Sequence, residues 1–186
     1  MQPEERLSSL CRLLVVVWAA AMVTPLGSHA QQGSAARQAY FEAIAGFFRL
    51  PPSEVAILGE WEIRPDEIPA VLFIARQAGV SPEALIALRR SGQGWSQLSQ
   101  RYGIGAPMLH LPIRDEAPAG ALESAYRRYR EVPVPDWHTI RLSDGDVIAL
   151  VNVRVIAESL RLSIEEVVRQ TSSTSSYVEL FAQLSR

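Results

Sequence analysis

Slid against itself by 82 residues, the chain aligns positions 40–103 with positions 122–185 without a gap. Identical pairs include Ala43/Ala125, Pro51/Pro133, Val71/Val153, Ile74/Ile156, Ala75/Ala157, Ser81/Ser163, Glu83/Glu165 and Leu98/Leu180. Similar pairs fill the spaces between them: Phe47/Tyr129, Val80/Leu162, Leu85/Val167, Ile86/Val168 and Trp95/Tyr177. The alignment preserves the order of apolar residues, prolines and cap signals, the pattern expected of one structural theme used twice. Units of roughly 65 residues are marginal by themselves, so the two copies are expected to pack together.

Each copy reads as helical. Tyr40, Phe41, Ile44, Phe47 and Phe48 recur at three- and four-residue spacing, giving an amphipathic helix that stops before Pro51-Pro52. Ile68, Val71, Leu72, Ala75 and Ala78 make the next stripe, closed by Gly79. Ser81-Pro82-Glu83 opens a further helix with a serine cap, a proline in the first turn and an acid beside it. Trp95, Leu98 and Tyr102 supply a last short helix before Gly103. In the second copy, Ser143-Asp144-Gly145-Asp146 opens a long apolar segment over 147–160 with a capping-box pattern. Positions 151–155 alternate as a strand would, but their alignment with the first copy assigns them to helix. Ser163 and Glu166 repeat the box. The fold class expected is all-α: two tandem related four-helix units packed together after a cleaved signal peptide. The units span 31–104 and 121–186, and the proline-rich, charged segment 105–120 is the linker between them.

The leader is read at residues 1–30. An 11-residue apolar run at 13–23 follows Arg6 and Arg12, Pro25 and Gly27 break it, and Ser28-His29-Ala30 offers small residues before a cleavage point at Gln31. That run is too short for a membrane span, which needs about 20 residues, so no stable membrane insertion is expected after processing. The expected destination is the periplasm or the exterior. The chain's one cysteine, Cys11, precedes the run and would leave with the leader, so no thiol or disulfide chemistry is expected in the processed chain.

The 186 residues carry 18 basic side chains, all arginine, against 20 acidic ones, a net charge of −2. This balance exerts no general pull on nucleic acid or anionic membrane. Positions 74–88, IARQAGVSPEALIAL, resemble a helix-turn-helix of bacterial DNA-binding domains. In that family the second helix presents polar or basic residues to the major groove. Here it begins Pro82, Glu83, Ala84, and the second copy has Glu165-Glu166, which would repel phosphate. A nucleic-acid partner is therefore not expected, and DNA binding stays a minor alternative.

Three stretches together also look like an uncharacterised family of predicted secreted bacterial helical proteins with no assigned activity. They are LFIARQAGVSP at 72–82, RRSGQGWS at 89–96 and LSDGDVIALVN at 142–152. The resemblance implies helical architecture and export, and it transfers no catalytic role. The second copy departs from the first at 171–176, where a polar loop replaces glycines.

Candidate chemistry is sparse. His110 and His138 are the histidines beyond the leader, and Asp136-Trp137-His138, with Asp144 and Asp146 nearby, is where imidazole and carboxylates come closest in sequence. Their spacing fits no compact metal motif, and Asp144 and Asp146 already suit a helix N-terminus. No catalytic residue, metal or cofactor is expected. A small envelope hydrolase or metal-binding protein centred on Asp136 and His138 is the alternative. The segment YRRYR at 126–130 points Tyr126 and Tyr129 to one side and spreads arginine over the rest. Arg127, Arg128, Arg130, Trp137 and His138 form the candidate binding surface, for an envelope protein or an anionic polymer. The function expected is that of an exported, non-catalytic helical interaction or scaffold protein of the bacterial envelope.

Overall fold

The computed structural model describes residues 26–61, 63–114 and 117–186. The apolar run at 13–23, with Arg6, Cys11 and Arg12, lies outside the described residues. The described chain is all-α: ten α-helices joined by short 3₁₀ turns, with no strand among the described residues.

In order, the helices are α1 (Leu26–Phe48), α2 (Pro52–Gly59), α3 (Ile68–Ala78), α4 (Pro82–Arg90), α5 (Trp95–Arg101), α6 (Ala106–Leu109), α7 (Glu123–Glu131), α8 (Asp144–Leu160), α9 (Ile164–Gln170) and α10 (Tyr177–Leu184). Helix α2 starts at the proline pair that periodicity read as a break. Pro52 sits at its first position, where a missing N–H costs nothing, and Val55 and Leu58 bury its inner face. At the matching place in the second half, Pro133 and Pro135 leave only a 3₁₀ turn, Val134–Thr139. The segment 105–120 carries α6 and buries Ala106, Leu109, Leu111, Ile113 and Ala119, so it packs as part of the body.

Helix α8 organises everything else. Val147, Leu150, Val151, Asn152, Val153, Val155 and Ile156 are all buried on it, an all-round apolar pattern that suits a central helix. First-half helices α1, α3 and α5 pack on α8, as do α6, α9 and α10. One continuous core results, running from Tyr40 and Ile44 on α1 to Leu180 and Phe181 on α10. Each fully buried leucine, isoleucine or valine in it contributes about 2 kcal/mol. Ser143 caps α8, accepting from the Asp146 amide at 3.1 Å, while the Asp146 carboxylate returns a bond to the Ser143 amide at 2.8 Å. Ser163 caps α9 by accepting from the Glu166 amide at 3.2 Å. Here the box stays half-made: among the described residues Glu166 makes no return bond to the Ser163 amide.

The two halves share boundaries at the 82-residue offset. α4 and α9 start at Pro82 and Ile164, and α5 and α10 at Trp95 and Tyr177. Ser81 and Ser163 are the matching caps, and the left-handed residues ending α3 and α8 are Gly79 (φ +67°) and Arg161 (φ +56°). An arginine carries a Cβ in a backbone conformation that glycine adopts freely. Arg161→Gly is therefore expected to stabilise the protein by about 1 kcal/mol, roughly a 3 °C rise in Tm. Gly79→Ala is expected to cost about as much through strain, since a Cβ there meets nothing within 4 Å. Thermal melts of the two variants check both signs.

Candidate functional site

The residues singled out from sequence lie around an aromatic cluster. Tyr126 and Tyr129 face inward from α7, as their spacing requires, and stack with His110 and Trp137. The His110–Trp137 ring centroids are 4.4 Å apart and those of His110 and Tyr129 4.9 Å. The cluster's polar ends are tied to the backbone. Tyr129 donates to the Ala106 carbonyl at 2.8 Å, Tyr126 bonds to the Leu111 carbonyl, and Trp137 Nε1 donates to Tyr129 and Val132 carbonyls at 3.2 and 3.0 Å. Burial pushes the Tyr126 phenol up to about 12 and Tyr129 higher still, so both act as hydrogen-bond donors. Arg154 closes the far side of α6, donating to the carbonyls of Met108, Leu109 and His110 and lying 5.1 Å from the Phe73 ring. Burial lowers its affinity for its proton below the usual arginine range. Its guanidinium sits at the carbonyl end of α6, the favourable place for positive charge.

The five candidate surface residues separate into two groups. Trp137 is half-buried and turned into the aromatic cluster, and Arg128 turns inward to Asp146, 2.8 Å away. Arg130 pairs with Glu123 at 3.3 Å. Arg127 is exposed and makes no ion pair with a described residue, and exposed His138 sets its Nδ1 3.1 Å from the carbonyl of Pro135 in its own turn. Asp144 and Asp146 hold other partners, Asp146 the guanidinium of Arg128. Asp144 accepts from the Ser96 amide at 2.9 Å and from Arg89 at 3.4 Å. Among the described residues no group of three histidine, cysteine or acidic side chains converges to hold a metal ion. Nor is any described helix long and apolar enough to cross a membrane.

Sequence reasoning passed over the junction between the halves. Glu67, 5% exposed, accepts from Trp95 Nε1 at 3.0 Å, from Arg89 at 2.9 Å and from Arg64 at 3.2 Å. Burial pushes this carboxyl up, yet the three hydrogen bonds outweigh it and hold Glu67 below its ordinary value. Its neighbour Asp66 behaves oppositely. Burial raises Asp66, although the amide at the start of α10 (Tyr177 N, 3.0 Å) pulls it partly back. Asp66 caps α10 from the first half, and Asp144 caps α5 from the second, so each half closes a helix of the other. Asp66 also lines a cleft of about 440 Å³ with Arg64, Ser124, Ser143, Asp146 and Tyr177. The signal available in sequence was Pro65-Asp66-Glu67-Ile68, two acids directly before an apolar helix.

No family model matches the chain, and no curated protein or solved structure does.

Proposed function

We propose that the chain is an exported, non-catalytic interaction protein of the bacterial envelope, built from two related helical units after a cleaved leader. The shared boundaries at the 82-residue offset, with matching caps at Ser81 and Ser163, support the duplication. One observation carries the interaction reading. Val134 (66% exposed) and Met108 (42% exposed) are two of the three large apolar side chains left in solvent among the described residues, and they stand on adjoining elements, the 134–139 turn and α6. The same two elements bring the rings of His110 and Trp137 to 4.4 Å between centroids. Adjoining apolar side chains held in solvent fit a contact surface that anchors a partner. Arg127 and Arg130 on α7, which supplies Tyr126 and Tyr129 to the same aromatic cluster, fit the surface to an acidic protein segment with apolar anchors.

Photo-crosslinking groups placed at Val134 and at Gln38 in cells test this. A discrete protein adduct in the periplasmic fraction at position 134, absent at 38 and lost in Met108→Asp, is expected. Equal labelling at both positions, or retention of the protein in the cytoplasm, overturns the reading. Adducts only with polymer would replace the protein partner with an anionic envelope polymer.

A further inference from the structure

The cleft at the junction of the halves has the makings of a ligand site distinct from the Met108–Val134 surface. Four chain segments line it: Arg64 and Asp66 from the turn before α3, Ala121 and Ser124 before and on α7, Ser143 and Asp146 at the cap and first turn of α8, and Tyr177 at the start of α10. Its volume of about 440 Å³ matches a small-molecule pocket. The charged side chains at its wall already have partners. Arg64 reaches Glu67 at 3.2 Å, Asp146 reaches Arg128 at 2.8 Å, and Asp66 sits on the N-terminus of α10. Two carboxylates against one guanidinium disfavour a phosphate, and a divalent cation would have to displace the partners those carboxylates hold.

Hydrogen-bonding capacity, in contrast, is left over. Asp146 is 3% exposed, and its bonds from Ser143 N, Ser143 Oγ and Arg128 all land on Oδ2, leaving Oδ1 without a partner among the described residues. Ser124 Oγ accepts from Arg128 at 3.1 Å, and its hydroxyl hydrogen remains to be given. Arg64 spends one of its five N–H groups on Glu67 and is otherwise exposed. Tyr177 adds a ring, and burial raises its phenol so that it stays protonated.

We propose that this cleft binds a neutral polyhydroxylated ring, a single saccharide unit. Such a ligand offers donors to the free carboxylate oxygen, acceptors to the guanidinium and serine hydroxyl, and an apolar face to the tyrosine, and it brings no charge to neutralise. The proposal is independent of the partner surface.

Amide chemical-shift titration of the full chain tests it, with glucose and N-acetylglucosamine as probes and sodium phosphate and magnesium chloride as counter-probes. Saturable shifts at Ser124, Ser143 and Tyr177 with at least one sugar, and none there with phosphate or magnesium, are expected. Ala121 is exposed at the cleft wall, so Ala121→Trp fills the space without entering the core, and it is expected to weaken sugar binding about tenfold or more. Should that variant misfold, Ser124→Ala, which removes one hydroxyl and no packing, is expected to weaken binding about threefold. The proposal is overturned if neither sugar shifts the cleft, if phosphate or magnesium does so instead, or if both folded variants bind sugar as the parent does.

Discussion

Glu67→Ala is expected to lower stability by about 3 kcal/mol, among the largest losses any single polar substitution in this chain would cause. The carboxylate is the common acceptor for Trp95, Arg89 and Arg64, and the indole it holds is fully buried. Removing it orphans a buried N–H and leaves Arg89, whose ring contact with Trp95 is 5.4 Å, without its shortest partner. Both arginines can turn partly to water, which keeps the loss at the lower end of the range for breaking a buried pair, about 3–5 kcal/mol. Glu67→Gln is expected to cost about 2 kcal/mol: an amide oxygen at the Oε1 position still accepts the three donors but without the charge, while its NH₂ meets the backbone N–H of Arg64.

The pH dependence separates Glu67 from its neighbour. A carboxyl held below its unfolded value stabilises the fold above about pH 4.3, and that contribution disappears as pH falls through the folded value. Asp66 is held above its unfolded value, so its contribution is present below about pH 3.9 and is lost as pH rises through the folded value. Urea denaturation between pH 3 and 7 should therefore show Glu67→Gln losing most at neutral pH and converging on the parent in acid. Asp66→Asn, which keeps an oxygen for the Tyr177 amide, should not lose stability at neutral pH. Equal losses for both variants at pH 7 would contradict the assigned shifts.

Periodicity and caps read the helices well because they are local. Gly79, Ser81 and Ser143 each mark a boundary through their own backbone or hydroxyl, and the structure has a boundary at each. Positions 151–155 were legible as helix only through the repeat, since a helix buried on all sides carries no polar face to set its period. Helix α2 was hidden because the same Pro-Pro pair that ends one helix also opens another. The junction was illegible for a different reason. Asp66 and Asp144 act across 111 and 48 residues of chain, on the amides of Tyr177 and Ser96, and no spacing rule reaches that far. Arg128 shows the same limit: on its own helix it is one of three exposed-looking arginines, and Asp146 selects it from a distance.

Asn152→Leu tests whether the central helix depends on that long-range polar tie, and a loss of about 3 kcal/mol is expected. The side chain is wholly buried on α8 with every polar atom used: Oδ1 accepts from the Tyr40 hydroxyl, and Nδ2 donates to the carbonyls of Asp66 and Ile148, each at 2.8 Å. Leucine nearly conserves volume, so the cost comes from the stranded Tyr40 hydroxyl and Asp66 carbonyl rather than from a cavity. Burial already drives the Tyr40 phenol well above its ordinary value, so ionisation offers that group no escape. Tyr40→Phe alone should cost about 1.5 kcal/mol by stranding Asn152 Oδ1. Made in the Asn152→Leu background, it should cost close to nothing, because the hydroxyl it deletes then has no partner to lose. The double-mutant cycle should thus return a coupling of about 1 kcal/mol or more. A cycle that closes to zero, with unchanged denaturant slopes, would show that the Tyr40–Asn152 bond adds nothing to the packing of α1 on α8. A positive coupling, accompanied by faster amide exchange at Tyr177 in Asn152→Leu, would show that Asn152 positions Asp66 and, through it, the first turn of α10.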